Sequence, residues 1–567
     1  MQGRKFTLGR AAAAFPLAGA FVVLSLALLR AGASGPAGTQ RAPSPAFADR
    51  PALTANPVSA SGAGAAPRAR IPQTSQASRR QTRAPLYDEP LGIFDGHCDI
   101  GPVEKPGSVA FEADLQTYII GGAGDNMWAD SDQCHFLWKR IKGDFILSAK
   151  VQFIGTGGAA RRKIGWMART SLDTDSAHAS TVVHGDGMTA LQYRKTRGAR
   201  TAEDGIGVTG PNQIQLERRG NSYIMSVAAF GEMYFRDRID NIDLGDEVYA
   251  GLFVCSHNPN VLEKALFSNV LISLPAKAGF IPYRDYLGSR LEIVDVGTKN
   301  RTVVLESPRP IESPNWTKDG QALIYNSDGA LYRFDLETGR STAIDTGAAK
   351  PVTDDHVLSF NGKMLGFSSL LPSAGDMPVI YAMPAAGGRV WRVTPKGPSY
   401  LHGWSPDGKN LVYTGPRNGN VDVYRISVRG GNEKRLTKDK GIDDGPEYTP
   451  DGRFIYFNSN RAGTMQIWRM LANGRAQRPV TRGNAQDWFP HVSPDGRWIA
   501  FLTYERDVGP DDHPFYKQVY IRMLAVGSRD EPRVVAYLYG GQGTINVSSW
   551  SPDSQRIAFV SYTGGIR

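Results

Sequence analysis

A motif returns every 44 residues through the C-terminal half of this chain, and a period of that length leaves few folds open. An aromatic or apolar anchor, two or three small or polar residues, an Asp-Gly-type turn and a β-run recur at Trp316, Phe360, Trp404, Tyr448 and Val492. A sixth copy starts at Trp550, 58 residues after the fifth, so fourteen extra residues intervene, and Asp507 to Lys517 is expected to loop out with them. In Trp404-Ser405-Pro406-Asp407-Gly408 the glycine tolerates positive φ and the aspartate bonds its own backbone, giving a tight turn into Leu411-Val412-Tyr413. Segments such as Val423-Tyr424-Arg425 and Lys434-Arg435-Leu436-Thr437 then complete four antiparallel strands per repeat, the content of one propeller blade. Six anchors predict six blades.

The sixth repeat ends at Arg567, soon after its second strand. Leu291 to Asp295 and Thr302 to Leu305 read as strands with no anchor ahead of them, so they are predicted to complete that blade, close the ring and remove its open edges. Residues 290–567 resemble the WD40-like blades of the TolB-like group, whose namesake is the periplasmic propeller of the Tol-Pal system. The resemblance implies the fold. The namesake carries an α/β domain ahead of its propeller, whereas this chain carries strands there.

Those strands run through residues 87–276. Phe145 to Phe153 and Gln213 to Arg218 alternate apolar and polar side chains; Ser222 to Val227, Tyr249 to Val254 and Leu266 to Ile272 follow, with no helical period between them. Short alternating strands at this spacing predict a two-sheet β-sandwich. The order Gly143-Asp144-Phe145, Lys163 to Arg169, Val183 to Gly187, Leu216 to Asn221 and Ala265 to Val270 resembles concanavalin-A-like (laminin-G-like) jelly rolls, which accompany bacterial carbohydrate-handling proteins. The expected fold class is therefore all-β: a jelly-roll sandwich, then a six-bladed propeller, preceded by a disordered tether.

The tether is residues 34–86, almost wholly Ala, Gly, Pro, Ser, Thr, Gln and Arg, with too few large apolar groups to offset backbone entropy. Residues 1–33 read as an export segment. Arg4, Lys5 and Arg10 precede an uncharged apolar run from Ala11 to Leu29, and Ala31-Gly32-Ala33 offers a cleavage site; an uncleaved anchor is the alternative. Either way the rest of the chain is expected outside the cytoplasm: periplasmic, cell-surface or secreted.

Charge narrows the partners. Residues 1–86 hold eleven basic side chains against Asp49 alone, which accounts for the whole net +10, so the remainder is neutral and carries no footprint for nucleic acid. Membrane contact is expected only through an uncleaved N-terminus. Cys98, Cys134 and Cys255 lack Cys-x-x-Cys spacing and read as buried thiols, one pair of which could oxidise after export.

The innermost strand of a blade ends near its anchor, so Asn315, Ser359, Gly403, Glu447, His491 and Ser549, one residue before each, should line a solvated channel. Glu447 and His491 share one phase in neighbouring blades and should approach each other. Asp355, His356, His402, Asp443, Asp444 and Asp487 are expected near the same mouth. Carboxylates with imidazoles suit blade-to-blade fastening, a divalent cation held by His491 and Glu447, or a general acid–base pair. TolB-like propellers include polysaccharide lyases that hold a channel metal with several histidines; His513 is a fourth histidine for comparison with that pattern. In the sandwich, Trp128, Trp166, Arg169, His184, Asp186 and Tyr193 are candidates for stacking on and holding a sugar, although Trp166, in an alternating strand, reads first as core.

The reading is an exported envelope or extracellular binding protein. Its sandwich would engage a glycan or another biopolymer, and its propeller mouth a protein, such as an envelope protein, or a small ligand. Two alternatives stay open: a carbohydrate-active enzyme, lyase or glycoside hydrolase, with a metal or acid–base site in the channel; and a pure interaction scaffold.

Overall fold

The repeat folds because each anchor motif satisfies itself locally. In the computed structural model, Ser405 Oγ donates to Asp407 Oδ1 (2.6 Å), which also accepts the Lys409 amide (3.1 Å), while the Asn410 amide donates back to Ser405 Oγ (2.9 Å). Gly408 takes φ = 69°, the left-handed conformation that favours glycine. Thr317–Asp319, Thr449–Asp451, Ser493–Asp495 and Ser551–Asp553 close the same way, and Asn361 substitutes for the aspartate beside Ser359. The structure describes residues 86–565 except 88, 157, 283, 372–374 and 376. The export segment and nearly all of the tether therefore lie outside the described residues.

Five consecutive four-stranded antiparallel sheets follow from those turns. Blade 1 comprises Glu312–Trp316, Ala322–Ser327, Ala330–Asp335 and Arg340–Ile344; blade 2, Val352–Leu358, Met364–Leu371, Met377–Pro384 and Trp391–Arg392. Blade 3 comprises Tyr400–Trp404, Asn410–Arg417, Asn420–Ser427 and Lys434–Arg435; blade 4, Asp443–Tyr448, Phe454–Ser459, Gln466–Leu471 and Arg478–Pro479. Blade 5 comprises Gln486–Val492, Trp498–Tyr504, Lys517–Ala525 and Arg533–Gly540. Blade 6 joins both ends of the half: Arg556–Thr563 pairs antiparallel with Gly288–Asp295, which pairs with Arg301–Ser307. Six blades form, and upstream strands seal the ring as the sequence predicts. Anchor indoles stitch blades together: Trp404 Nε1 donates to Val357 O (2.9 Å) and Trp550 Nε1 to His491 O (3.0 Å).

The extra fourteen residues differ from the expected polar loop. Residues 505–516 do connect two strands of blade 5, but Phe515 and Tyr516 are buried against Tyr562. A second irregular run, 541–549, occupies the place of blade 6's innermost strand, whose ladder shrinks to the single bridge Trp550–Ile557.

Upstream, fifteen strands make an eight-stranded and a seven-stranded antiparallel sheet. Trp166, Leu252 and Leu137 of the first pack with Leu147, Ile214 and Leu216 of the second in one apolar cluster. The strands Lys163–Arg169 and His178–His184 are buried on both faces, because loops cover the outer side of the larger sheet. The described residues belong to one compact unit, and the two-sheet part meets the ring through specific bonds. Tyr537 OH accepts the Gly231 amide (3.0 Å) and donates to Glu232 O (2.6 Å), and Gln116 exchanges two hydrogen bonds with the backbone of Val303.

Candidate functional site

The innermost strands converge on the ring centre, and the residues before the anchors meet there. Asn315, Ser359, Gly403 and Glu447 line a cavity of about 270 Å3, walled by the anchors Trp316, Phe360, Trp404 and Trp550. His491 and Ser549 sit just behind the wall, both buried.

Glu447 and His491 come together: Glu447 Oε2 lies 2.8 Å from His491 Nδ1, and Oε1 accepts the Val492 amide (2.9 Å). The other ring nitrogen of His491, Nε2, donates to Ile545 O at 2.5 Å. Both nitrogens thus face oxygen acceptors.

His402 repeats the arrangement one residue along the central segment. Its Nδ1 lies 3.3 Å from Asn546 O and its Nε2 3.2 Å from Asp444 Oδ1, an oxygen that also accepts Thr414 Oγ1 (2.6 Å) and the Gly445 amide (2.7 Å). Burial alone would push the His402 imidazole down. The hydrogen bond and charge of Asp444, with Asp355 behind it, carry it up to about 9 instead. Burial would likewise raise Asp444, but His402 holds its carboxyl well below the ordinary range.

The remaining ring candidates disperse. Asp443 is paired through both oxygens with Arg461 (2.7 and 2.8 Å), and Asp487 with Arg522 and Thr503 (2.8 Å each). Asp443 starts its strand four residues before Glu447, roughly 13 Å away at the usual strand rise. The expectation that Asp443 and Asp487 share the mouth is therefore corrected: Arg461, in the turn after Phe454–Ser459, and Arg522, in the third strand of blade 5, hold them instead. His356 is fully buried, with Nε2 donating to Ile324 O (3.3 Å), and burial pushes it down to about 4, so it fastens blade 2 to blade 1 as a neutral ring. Asp355 remains near the centre; burial and the charge of Asp354 push its carboxyl well up.

Beyond that cavity the channel holds the chain itself. Residues 541–547 are all buried and fill it. Asp354 Oδ2 accepts both Gln542 Nε2 (2.6 Å) and Asn546 Nδ2 (2.8 Å), and Asn315 Nδ2 donates to Ser548 O (2.6 Å). Asp354, Gln542 and Asn546 were not singled out by the repeat, because they sit beside its phase or inside its irregular stretch; the Gly540-Gly541-Gln542-Gly543 run was the available signal. His513 packs edge-on against Trp488 (4.5 Å between ring centres) rather than joining the other histidines. Among the described residues, no group of three or more His, Cys, Asp or Glu side chains is disposed to hold a metal ion. His491, with both ring nitrogens committed to oxygen atoms, does not offer the lone pair a cation needs.

The sugar-binding candidates of the two-sheet part are also redistributed. Trp166 is fully buried between the sheets, so it is core and not a stacking platform. Arg169 is fully buried on the outer side and reaches Asp132 (3.4 Å), which Arg194 holds through both oxygens (2.8 and 3.0 Å). His184 is buried, and its Nδ1 donates to Met188 O (3.1 Å). Trp128 and Tyr193 are half-buried, beneath Lys163 and Lys195 respectively, and Asp186 is exposed in a turn beside Arg161. The six do not form one surface. Cys98, Cys134 and Cys255 are buried in a single apolar cluster.

The matching family model falls on the ring. A family model described as the TolB beta propeller domain matches residues 396–536. An uncharacterized protein of Agrobacterium fabrum is 40% identical over 275 residues, 48% of this chain and 92% of that one. The Tol-Pal system protein TolB of Bordetella pertussis is 31% identical over 151 residues, 25% of this chain; the match spans only 33% of that protein. Among solved structures, a TolB-type protein of Agrobacterium tumefaciens is 39% identical over 50% of this chain and 100% of its own (TM-score 0.47). TolB from Acinetobacter baumannii is 17% identical over 58% of this chain and 79% of its own (TM-score 0.36).

Proposed function

The chain belongs to the TolB-type β-propeller family, and from that premise we propose that it is an exported protein of the bacterial envelope whose ring docks another protein. The observation that carries this reading is the cavity on the anchor face. It is open and concave, walled by Trp316, Phe360, Trp404 and Trp550, and Asn315, His402 and Glu447 in its lining are already bonded within the chain. Aromatic walls around a few fixed polar groups suit recognition of a polypeptide surface. General acid–base chemistry needs a group with a proton or lone pair to spare, and Glu447 and His491 spend theirs on blades 4 and 5 and the central segment.

The relatives named as Tol-Pal system proteins support an envelope setting, with the periplasm as the compartment this reading assigns. Residues 1–33 supply the export signal or anchor in this proposal and 34–86 the tether, with 87–276 a concanavalin-A-like jelly roll rigidly seated on the propeller of 290–567. A glycan partner for that jelly roll draws no support from Trp166 and Arg169, both sealed from solvent.

Site-specific photo-crosslinking in intact cells tests the docking face. A photoreactive residue replacing Lys318, exposed at the cavity rim, should capture a discrete envelope protein; one replacing Arg340, exposed on the outer edge of blade 1, should not. Equal capture from both positions, or none from Lys318, would defeat the reading.

A further inference from the structure

A propeller channel ordinarily lies between innermost strands, yet here the chain runs through its own channel. Residues 541–548, Gly-Gln-Gly-Thr-Ile-Asn-Val-Ser, replace the innermost strand of blade 6 without pairing as a strand. Only two amides of the neighbouring strand reach the run and its flank, Val560 to Thr544 O (3.2 Å) and Ala558 to Ser549 O (2.9 Å). Its side chains cross the ring: Ile545 joins the blade 5 cluster containing Phe489, and Val547 the cluster of Leu401 and Trp404. Gly541 and Gly543 begin the run at φ = 132° and 81°. A Cβ on Gly541 would stand 2.0 Å from Pro514 O, and one on Gly543 2.7 Å from Tyr562 OH, so both positions require glycine.

What holds the segment is polar and comes from every other blade. His491 and His402 grip the consecutive carbonyls of Ile545 and Asn546, each backed by a carboxylate from the innermost strand of blade 4, Glu447 and Asp444. Asp354 of blade 2 takes the Gln542 and Asn546 amide groups, and Asn315 of blade 1 the Ser548 carbonyl. Against this, the segment's own amides are poorly served. Among the described residues none accepts from the buried N–H of Ile545, Asn546 or Val547, and Gln542 Oε1 is buried without a partner. Unmet buried groups lower the local free energy of opening below that of the laddered strands.

We propose that residues 541–548 are a releasable strap: they close the channel in the free protein and leave it, hinged at Gly541 and Gly543, when the two carboxylate–imidazole–carbonyl bridges break. The grip is accessible from outside. His402, Glu447, Asn315 and Ser548 all line the anchor-face cavity, so an occupant of that cavity touches the groups that hold the strap. This coupling rests on the docking reading above; the strap itself does not.

Hydrogen–deuterium exchange on the full-length protein, resolved by peptide, tests it. The amides of 541–549 should exchange at least ~100-fold faster than those of Trp498–Tyr504, which lie in a full ladder of blade 5. His402→Gln should speed the strap a further ~10-fold while leaving 498–504 unchanged; Asp354→Asn, which keeps a side chain of the same size, should do so more weakly and serves if the first variant does not fold. A strap exchanging as slowly as 498–504 in the natural sequence, or the two regions accelerating together in both variants, would overturn the proposal. A rigid strap with a Lys318 crosslink removes the strap and leaves the docking face; a mobile strap without the crosslink does the reverse.

Discussion

His178 in the two-sheet part and His402 in the ring are both buried, yet they are held in opposite charge states. Burial dominates at His178 and pushes its imidazole down to about 3, because the attraction of Asp132 is opposed by Arg194 and Arg169. His184 is pushed down to about 4, by burial first and by Lys163 second. At His402 the adjacent carboxylate belongs to no arginine, so its field and hydrogen bond overcome burial and the ring keeps its proton to about pH 9. The difference teaches that burial fixes a histidine's charge only after the neighbouring carboxylate's first claim is known. In the two-sheet part arginines have that claim, which makes a static core; at the ring centre imidazoles have it, which leaves a grip that depends on a proton.

The sharpest way to break the contrast is to remove the carboxylate that the arginines share. Asp132 is fully buried between Arg169 and Arg194, themselves fully buried. Asp132→Asn should cost about 3–5 kcal/mol, because two guanidiniums lose their buried counter-charge. Denaturant unfolding followed by circular dichroism measures it, and a loss below ~1 kcal/mol would mean the guanidiniums find water or carbonyls instead.

Acid should then weaken the two-sheet part through its histidines. Their folded pKa values lie below the unfolded value of 6.5, so the unfolded chain binds the proton first and stability is lost as pH falls below 6.5 toward 4. At pH 5 each should contribute a loss of about 2 kcal/mol, about 4 together. The double variant His178→Gln, His184→Gln should lose that much of the slope in urea midpoints between pH 7 and 5; an unchanged slope would show that these rings are already charged when folded.

The ring should respond at the other end of the scale. The folded pKa of His402 lies above 6.5, so its contribution is fully present below that value and disappears as pH rises through about 9. The loss should reach about 3 kcal/mol by pH 10, as an order of magnitude for a coupled pair. Asp444→Asn should remove most of it, seen as a flatter unfolding midpoint from pH 7 to 10. Equal alkaline loss in that variant would assign it to other groups.

How far these features could be read from the sequence follows the same division. The blades were legible because Ser405, Asp407 and Gly408 close their turn within four residues, and a local rule repeated six times leaves a period. Glu447 and His491 were legible for a related reason, since one phase in adjacent blades puts two side chains side by side. Asp443 and Asp487 misled because the arginines that claim them, Arg461 and Arg522, come from different positions of their repeats. The strap was hidden because it lies in a stretch with no template among the other blades. In the two-sheet part, alternation finds a strand but cannot tell inner from outer when loops bury both faces, which is why Trp166 was a candidate for sugar and is core.

The seam between the two parts offers the smallest expected effect and the finest test of the contrast. Arg236 projects from the edge strand Phe235–Ile239 to Glu505 of blade 5 and also reaches Ser226 Oγ (3.2 Å), while Glu505 accepts Tyr520 OH as well. The Arg236 side chain is about a third exposed, so its charge is largely screened and Arg236→Met should cost below ~1 kcal/mol. Tyr537, buried and bonded to the backbone of both Gly231 and Glu232, carries more of the contact, so the parts should still unfold in one transition. Two resolved transitions in Arg236→Met, by calorimetry at pH 7, would mean that a screened surface pair joins them. The opposite histidine chemistries would then belong to two independently folding bodies and not to two regions of one.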